Sequence, residues 1–236
     1  MTQNHENDQQ GRGDLCVTRV PLFQGLRHDD QVDVAGVARP IHLDSGEQLY
    51  DPTTGDSQLL VMHTGTVKIS RVDSEGREQI LRVLGPGDFV GESAFLTGHR
   101  PDHFATAVEP ASMCAFRHAD LGQLVRAHPS IGLRMLRDVS GRLQDAEARL
   151  ASVISGDVSS RLANYLLSLN GSFSDGAMTV ELPLAKKDIA SLLDTTPESL
   201  SRQLRRLRES GVVAEHGARH LVLHDIDALT NLAERG

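Results

Sequence analysis

The pattern of hydrophobic and polar positions changes along the chain. The opening stretch, "MTQNHENDQQGRGD", is polar and lacks periodicity, which predicts a disordered arm. From Val17 to about Ala119, short apolar runs alternate with turn sequences such as "SGEQ", "HTGT" and "GPGD". Within this region "TVKISRV" and "EQILRVL" flank the turn "DSEG", a pattern typical of a β-hairpin. Closely spaced short strands of this kind predict a sandwich, a jelly roll or a barrel.

A long helical pattern begins at Pro129. Its apolar residues Leu136, Val139, Leu143 and Leu150 recur at the a and d positions of a heptad repeat. The residues beside this stripe are charged, which favours a seam between two copies of the chain. The alternative is a single helix that packs the same stripe on its own domain.

The remainder of the chain predicts a compact set of helices and strands. An amphipathic helix, "DVSSRLANYLLSLNG", has Asp157 as a suitable N-cap and Gly171 just past its end. It is followed by a strand in "MTVELPL", a helix in "AKKDIASLL", the tight turn "DTT" and a helix in "PESLSRQLRRLRESG". Two short strands then meet around Gly217. This order predicts a winged helix-turn-helix.

The segment from Thr196 to Gly211 carries the clearest chemistry. Thr196 suits the N-cap, Pro197 suits the first helical position, and Gly211 ends the helix. One side of this helix is apolar and the other polar, with Leu200, Leu204 and Leu207 on the first side and Glu198, Ser201, Arg202 and Arg205 on the second. A guanidinium can hold guanine O6 and N7 together, and a carboxylate accepts from cytosine N4. We therefore expect this helix to read DNA.

Composition limits where nucleic acid can bind. The 236 residues carry a formal net charge of −8, so a positive surface must be local. Between Lys186 and Arg208, basic residues exceed acidic ones by three. No apolar run approaches the roughly 20 residues of a membrane helix, and no signal-peptide core opens the chain, so we expect a soluble cytoplasmic protein without membrane contact.

Motifs of enzyme chemistry are missing from the sequence. There is no HExxH metal motif, P-loop or nucleophile elbow. "GPGDFVG" is one residue too long for a dinucleotide fingerprint and is interpreted as a turn between strands. We therefore expect no enzymatic activity, and a protein that only binds other proteins is the remaining alternative.

From about Cys16 onward, five features follow one another in the chain: "VPLFQGL", "HTGTVKI", "GPGDFVGE", the long helix and "TTPESLSRQLRRL". In this order they resemble the CRP/FNR superfamily of bacterial transcription regulators. The resemblance implies an α+β fold. Its parts would be a disordered arm (1–15), a jelly-roll sensor domain of the cyclic-nucleotide-binding type (16–128), a dimerisation helix (129–156) and a winged helix-turn-helix domain (157–236). It also implies a homodimer on palindromic double-stranded DNA, acting as activator or repressor and contacting RNA polymerase if it is an activator.

The same resemblance implies roles for individual residues. Glu198, Ser201 and Arg202 match the FNR branch, in which these residue types read a TTGAT-like half-site. Pro197 stands where the CRP branch has a base-reading arginine. Phosphate contacts are assigned to Thr196, Ser199 and Arg205. We therefore expect a TTGAT-N4-ATCAA-like palindrome.

Cyclic-nucleotide members of the family use a Gly-Glu pair and, about ten residues later, an arginine followed by Ser or Thr. Gly91 and Glu92 match the first pair, but Asp102 and His103 occupy the second register. A carboxylate there would repel a cyclic phosphate. Cyclic AMP is therefore disfavoured, with Glu92, Arg100 and His103 left as candidates for another effector pocket.

The stretch "GHRPDHFATAVE" is similar to the oxygen- and redox-sensing FNR branch, and Cys114 falls close to the distal cluster cysteine of that branch. Only Cys16 is present near the N-terminus, whereas a four-iron cluster normally needs four thiolates. Some family members use two such cysteines as a thiol switch, which the resemblance implies for Cys16 and Cys114. The alternatives are an iron-sulfur, haem or metal-dependent regulator, a zinc site that adds His99 and His103, an unknown small-molecule effector, or a Cys114 that is simply a buried apolar residue.

Overall fold

Short strands in the first half of the chain form two four-stranded sheets within the described residues, as the alternating pattern predicts. The structure is a computed structural model that describes residues 20–53, 58–155, 157–174, 176–217 and 219–234. The expected disordered arm (1–15) lies outside the described residues. The strands are β1 (Arg39–Leu43), β2 (Gln48–Tyr50), β3 (Gln58–Thr64), β4 (Val67–Val72), β5 (Glu78–Leu84), β6 (Phe89–Val90), β7 (Phe104–Ala107) and β8 (Ala111–Arg117).

The two sheets enclose one apolar core. Their strand orders are β1-β8-β3-β6 and β2-β7-β4-β5. Both sheets contribute to the core, with Met62 of β3 and Met113 of β8 from the first and Ile69 of β4 from the second. Because side chains alternate across a strand, β8 also has an outward face. This arrangement is the predicted jelly roll.

Helices cover the outward face and connect the strands. A 3-10 turn at Pro21–Phe23 places Phe23 against Phe116 of β8, with ring centroids 5.4 Å apart. The helices of this half are α1 (His28–Val37), α2 (Glu92–Thr97) and α3 (His118–Ala127). The sequence pattern did not predict them, because each is short and buries only one or two side chains. So few buried positions leave no visible helical period.

"GPGDFVG" forms a turn between strands, as predicted. Asp88 closes it, since its carboxylate accepts from Gly85 N at 2.8 Å and its own N–H donates to Gly85 O at 3.1 Å. Gly91 then leads into α2 with φ of 96°. A Cβ at this position would meet Gln58 O at 2.0 Å, so the close approach of β3 requires glycine.

Helix α4 (Pro129–Ser155) follows and begins at the predicted proline. The C-terminal elements are α5 (Val158–Ser168), β9 (Gly171–Ser174), β10 (Ala177–Glu181), α6 (Lys186–Leu192), α7 (Pro197–Glu209), β11 (Val213–His216), β12 (His220–Leu223) and α8 (Ile226–Ala233). Their sheet has the order β11-β12-β10-β9. The predicted helix-turn-helix and its wing are therefore present.

Two details of this half differ from the sequence-based expectation. Asp157 does cap α5, accepting from Ser160 N at 2.9 Å, but the helix ends at Ser168. Gly171 does not end the helix and instead begins β9, a strand that the pattern did not predict. All four residues of β9 are exposed, so the strand is held by backbone pairing and leaves no hydrophobic alternation.

Packing divides the chain into two units. The first contains the chain up to Arg71 and Arg82–Asp138, and the second contains Val72–Leu81 and Val139–Gly236. The tip of the β4–β5 hairpin thus belongs to the second unit, and α4 contributes to both. None of the helices in the described ranges is long and apolar enough to cross a membrane.

Candidate nucleic-acid interface and sensor site

Helix α7 is fixed to its surroundings by its cap and its apolar side. Thr196 Oγ1 accepts from Ser199 N at 3.2 Å, and Pro197 occupies the first turn. Leu200, Leu204 and Leu207 are all buried. The cap and this stripe are those that the sequence predicts, and together they hold the helix with its polar side outward.

The outward side brings the predicted base-reading residues together. Glu198, Ser201 and Arg202 are exposed, and their spacing of three and four positions puts them on one helical face. With Pro197 and Arg205 they line an open cleft of about 380 Å³. The cleft offers a carboxylate, a hydroxyl and two guanidinium groups, which match the donors and acceptors of base edges and phosphates.

Part of the local positive charge is paired within the fold. Glu215 on β11 accepts from Lys186 Nζ at 2.8 Å and lies 3.4 Å from Arg208 Nη1. The hydrogen bond from Lys186 lowers the pKa of Glu215. Glu215 is not predictable from the sequence, because the strand pairing that brings it to α6 and α7 is not visible in local sequence. Arg202 and Arg205 are exposed on the polar side of α7.

Hydrogen bonds of Arg219 hold the wing to the rest of the domain. Arg219 Nη2 donates to Pro183 O at 2.7 Å, and Leu182 N donates to Arg219 O at 2.7 Å. The wing histidines His216 and His220 are directly paired across β11 and β12, and both are exposed. These two hydrogen bonds, one from the side chain of Arg219 and one to its carbonyl, hold the start of β12 to the segment that follows β10.

The predicted stripe on α4 is exposed in the isolated chain. Leu136, Leu143 and Leu150 are 65%, 59% and 61% exposed, and Val139 is half-buried. Leu133, which the heptad analysis did not include, is also exposed. A helix that packed this stripe on its own domain would bury these leucines, so the alternative of an internally packed stripe is wrong.

In the jelly roll, Asp102 and His103 stand at the positions where cyclic-nucleotide members carry the phosphate-binding arginine and the Ser or Thr. Both residues contact other polar side chains of the protein. Tyr50 OH lies 2.9 Å from His103 Nε2, and Asp102 forms an ion pair with Arg71. Burial lowers the pKa of His103 and raises that of Tyr50. The hydrogen bond from Arg71 lowers the pKa of Asp102. The carboxylate that is expected to repel phosphate is thus ion-paired with Arg71.

The other effector-pocket candidates are in different environments. Glu92 begins α2, and its Oε1 lies 3.9 Å from Arg82 Nη1. Arg100 is exposed in the loop between α2 and β7. The structure thus groups Glu92 with Arg82, and His103 with Tyr50. Tyr50 and Arg82 are not predictable from the sequence, since strand pairing brings them near residues that are distant in sequence.

Cys114 is 2% exposed on β8, where it is paired with Pro40 and Val61. It shares the outward face with Phe116, whereas His103 bonds to Tyr50, a residue of the core between the sheets. His99 is exposed and contacts Thr97. Cys16 lies outside the described residues.

The predicted zinc site is not assembled. In the part of the chain that the structure describes, no three His, Cys, Asp or Glu side chains are grouped for a metal. The zinc alternative combined Cys16, Cys114, His99 and His103, and Cys16 lies outside the described residues. Cys114 and His103 are not brought together, because alternation along β8 turns Cys114 away from the core that holds Tyr50. The two cysteines of the sequence supply only two of the four thiolates that a four-iron cluster normally takes.

A capped helix with an exposed polar face, a wing and a jelly roll define the class of a DNA-binding regulator with a cyclic-nucleotide-binding-like domain. The family model described as a Crp-like helix-turn-helix domain matches residues 160–232, and that described as a cyclic nucleotide-binding domain matches residues 40–128. "Probable transcriptional regulator flp" of Lacticaseibacillus casei is 31% identical over 212 residues, 90% of this chain and 95% of the relative.

A further relative and two solved structures are also similar to this chain. The "Fumarate and nitrate reduction regulatory protein" of Escherichia coli (strain K12) is 28% identical over 222 residues, 93% of this chain and 86% of the relative. The structure of FixK2 from Bradyrhizobium japonicum matches with a TM-score of 0.72 and 26% identity, over 83% of this chain and 97% of that one. A CooA mutant from Carboxydothermus hydrogenoformans shares the fold, with a TM-score of 0.75, 22% identity, and 85% and 89% coverage.

The chain belongs to the CRP/FNR family of transcription regulators. It is a DNA-binding regulator of this type, and its relatives are transcriptional regulators rather than enzymes.

Proposed function

We propose that the protein regulates transcription as a homodimer on a TTGAT-N4-ATCAA-like palindrome. The observation that carries the proposal is the face of α7, where Glu198, Ser201 and Arg202 are exposed together above a buried leucine stripe. In this proposal Arg202 holds guanine O6 and N7, and Glu198 accepts from N4 of the paired cytosine. Ser201 contacts a neighbouring base.

Phosphate contacts would set the register of the helix on DNA. Thr196 and Ser199 lie at its N-terminus, where backbone N–H groups and the helix dipole favour an anion. In the absence of DNA, Thr196 Oγ1 donates to Ser199 Oγ at 3.2 Å, which leaves the Ser199 hydroxyl as the donor for phosphate. Arg205, one turn beyond Ser201, adds a cation.

The test is a fluorescence-anisotropy titration of the palindrome against a scrambled duplex of the same length at moderate salt. We expect the palindrome to bind at least about a thousand-fold more tightly, the lower end of the range of specific binding. Equal affinity for the two duplexes would contradict the assigned half-site. Replacing the guanine pair alone in each half-site should remove most of the difference.

Dimerisation is proposed from the exposed stripe on α4. Leucines at 136, 143 and 150 recur every seven residues, and a parallel coiled coil would bury them against a second copy. A two-fold dimer would place two recognition helices roughly 34 Å apart, in successive major grooves. The domain boundaries expected from the sequence (16–128, 129–156 and 157–236) are part of this proposal.

For the sensor, we favour redox control through Cys16 and Cys114. The chain that follows Cys16 supports this, because Val20 and Phe23 are buried and Phe23 packs on Phe116, on the face that carries Cys114. Cys16 is four positions before Val20, a reach of about 14 Å at most. A disulfide would tie the arm to the roll and shift α4.

The redox proposal has a direct test. Mass spectrometry after mild oxidation should detect a Cys16–Cys114 bond, and Cys114→Ser should remove it together with any oxidation-dependent change in DNA affinity. Both thiols remaining reduced would contradict it. The visible spectrum and metal content of anaerobically purified protein test the iron-sulfur, haem and metal alternatives.

Cyclic AMP is not the proposed effector. His103 and Asp102 occupy the clamp register and are engaged by Tyr50 and Arg71. Calorimetric titration with cyclic AMP and cyclic GMP should give no binding heat, and saturable binding of either would contradict this. We further propose that the protein acts in the cytoplasm and, if it is an activator, contacts RNA polymerase.

A further inference from the structure

A separate set of contacts converges on the turn between α6 and α7. Asp194 lies in this turn with φ of 51°, a left-handed conformation that Asp and Asn adopt more readily than most residues with a side chain. Its Oδ1 accepts from Gln79 Nε2 at 2.6 Å. Its Oδ2 accepts from Arg149 Nη2 at 3.1 Å and Arg149 Nε at 3.2 Å. One carboxylate thus connects β5, α4 and the turn.

The same elements share further hydrogen bonds. Arg149 Nη1 donates to Leu81 O at 2.9 Å. Ser191 Oγ accepts from Ile80 N at 2.9 Å and donates to Glu78 O at 3.1 Å. Gln79 Nε2 also donates to Ser191 O at 2.8 Å. We call Gln79, Arg149, Ser191 and Asp194 the turn clasp, and all four residues belong to the second unit.

The position of the clasp explains why it matters for DNA reading. Asp194 is two residues before Thr196, the cap of α7. Arg202 is six residues beyond Thr196, about 9 Å along α7, so a tilt of about 10° at the turn would move it by about 1.6 Å. Such a displacement is enough to break a base-edge hydrogen bond.

We propose that Arg149 and Gln79 are positioning residues for the recognition helix and act on it through Asp194. The inference rests on the proposed base-reading role of α7. Arg149 is next to Leu150 of the exposed stripe, so the clasp also connects the proposed dimer helix to the helix-turn-helix. Neither residue contacts DNA in this scheme, and both set the direction in which α7 leaves the turn.

The first test compares specific with non-specific DNA binding. Arg149→Ala and Gln79→Ala should weaken binding to the palindrome, the former by about five- to ten-fold, and leave binding to a scrambled duplex nearly unchanged. Arg126→Ala, which removes the same charge from an exposed site on α3, is the matched control. Equal losses on both duplexes, or the same loss in the control, would overturn the proposal by showing only a charge effect.

The second test does not need DNA. Hydrogen exchange of the backbone amides between Asp194 and Ser199, except at Pro197 which has none, should become faster in Arg149→Ala than in the wild type, while amides within α5 keep their rates. Asp194→Asn tolerates the same backbone conformation without the charge, so combining it with Arg149→Ala should add little to either single change. Arg149→Lys should restore part of the affinity.

The two tests separate the possible failures. If the wild-type protein does not prefer the palindrome, the half-site assignment fails, and the exchange experiment still decides whether the clasp orders the turn. If exchange and affinity are both unchanged in Arg149→Ala and Gln79→Ala, the clasp has no positioning role. Faster exchange across the whole second unit would show a general structural role and would also overturn the proposal.

Discussion

Truncation of Leu143 tests the proposed dimer most directly. Leu143 is 59% exposed in the isolated chain and lies at the middle of the leucine stripe on α4. Burying a whole leucine side chain contributes about 1.5–3 kcal/mol, so Leu143→Ala should remove about 1–1.5 kcal/mol per copy. In a two-fold dimer both copies carry the substitution, so the lost free energy is doubled. The dimer should lose about 2–3 kcal/mol, which raises its dissociation constant roughly 30- to 150-fold.

Sedimentation equilibrium over a range of concentrations measures this dissociation constant. Leu96→Ala is the matched control, because Leu96 on α2 is 65% exposed but lies outside the stripe. We expect the control to dimerise as the wild type does. The reasoning is refuted if Leu143→Ala leaves the dissociation constant unchanged, or if the control weakens the dimer equally. A wild-type protein that stays monomeric at micromolar concentration would refute the seam itself.

Three further predictions follow from single residues. Arg202→Ala should cost about 1–3 kcal/mol of specific binding and relax discrimination at the guanine, whereas Arg202→Lys should keep the salt dependence and lose discrimination. Titrations of single-base variants at two salt concentrations measure both effects, and unchanged discrimination would exclude the assigned contact. Thr196→Ala should lower the unfolding free energy by about 1 kcal/mol through loss of the cap, as measured in urea, and an unchanged midpoint would show that the cap does not contribute. Burial lowers the pKa of His103, so the unfolded chain takes up this proton first as pH falls below about 6.5, and stability falls with it. His103→Gln should flatten the pH dependence of urea unfolding between about pH 7 and pH 5, and an unaltered slope would contradict the assignment.

Features that depend on nearby residues could be predicted from the sequence. The cap at Thr196, the buried side of α7 and the stripe on α4 each depend on residues within a few turns of one helix. Helical period and cap chemistry act over that distance, so the residue pattern alone indicates them. The turn before β6 was predictable for the same reason. Family motifs added the order of the domains and the roles expected of Glu198 and Arg202.

Features that depend on strand pairing could not be predicted. The contact between Tyr50 and His103 joins residues 53 positions apart, and that between Gln79 and Asp194 spans 115 positions. A zinc site with His103 was plausible from residue types alone. The structure does not bring Cys114 to His103, because Cys114 points away from the core that contains Tyr50, a consequence of its register on β8.

The sequence by itself determined the class of this protein: a jelly roll, a helix with an apolar stripe and a winged helix whose exposed face matches DNA. Only the tertiary structure decided which polar groups meet. It paired Asp102 with Arg71, buried Cys114 on the outer face of its sheet, and joined Arg149 and Gln79 at Asp194. The physical reason is one of range: helix periods and caps form between neighbours in the chain, whereas these contacts exist only after distant strands and helices have packed.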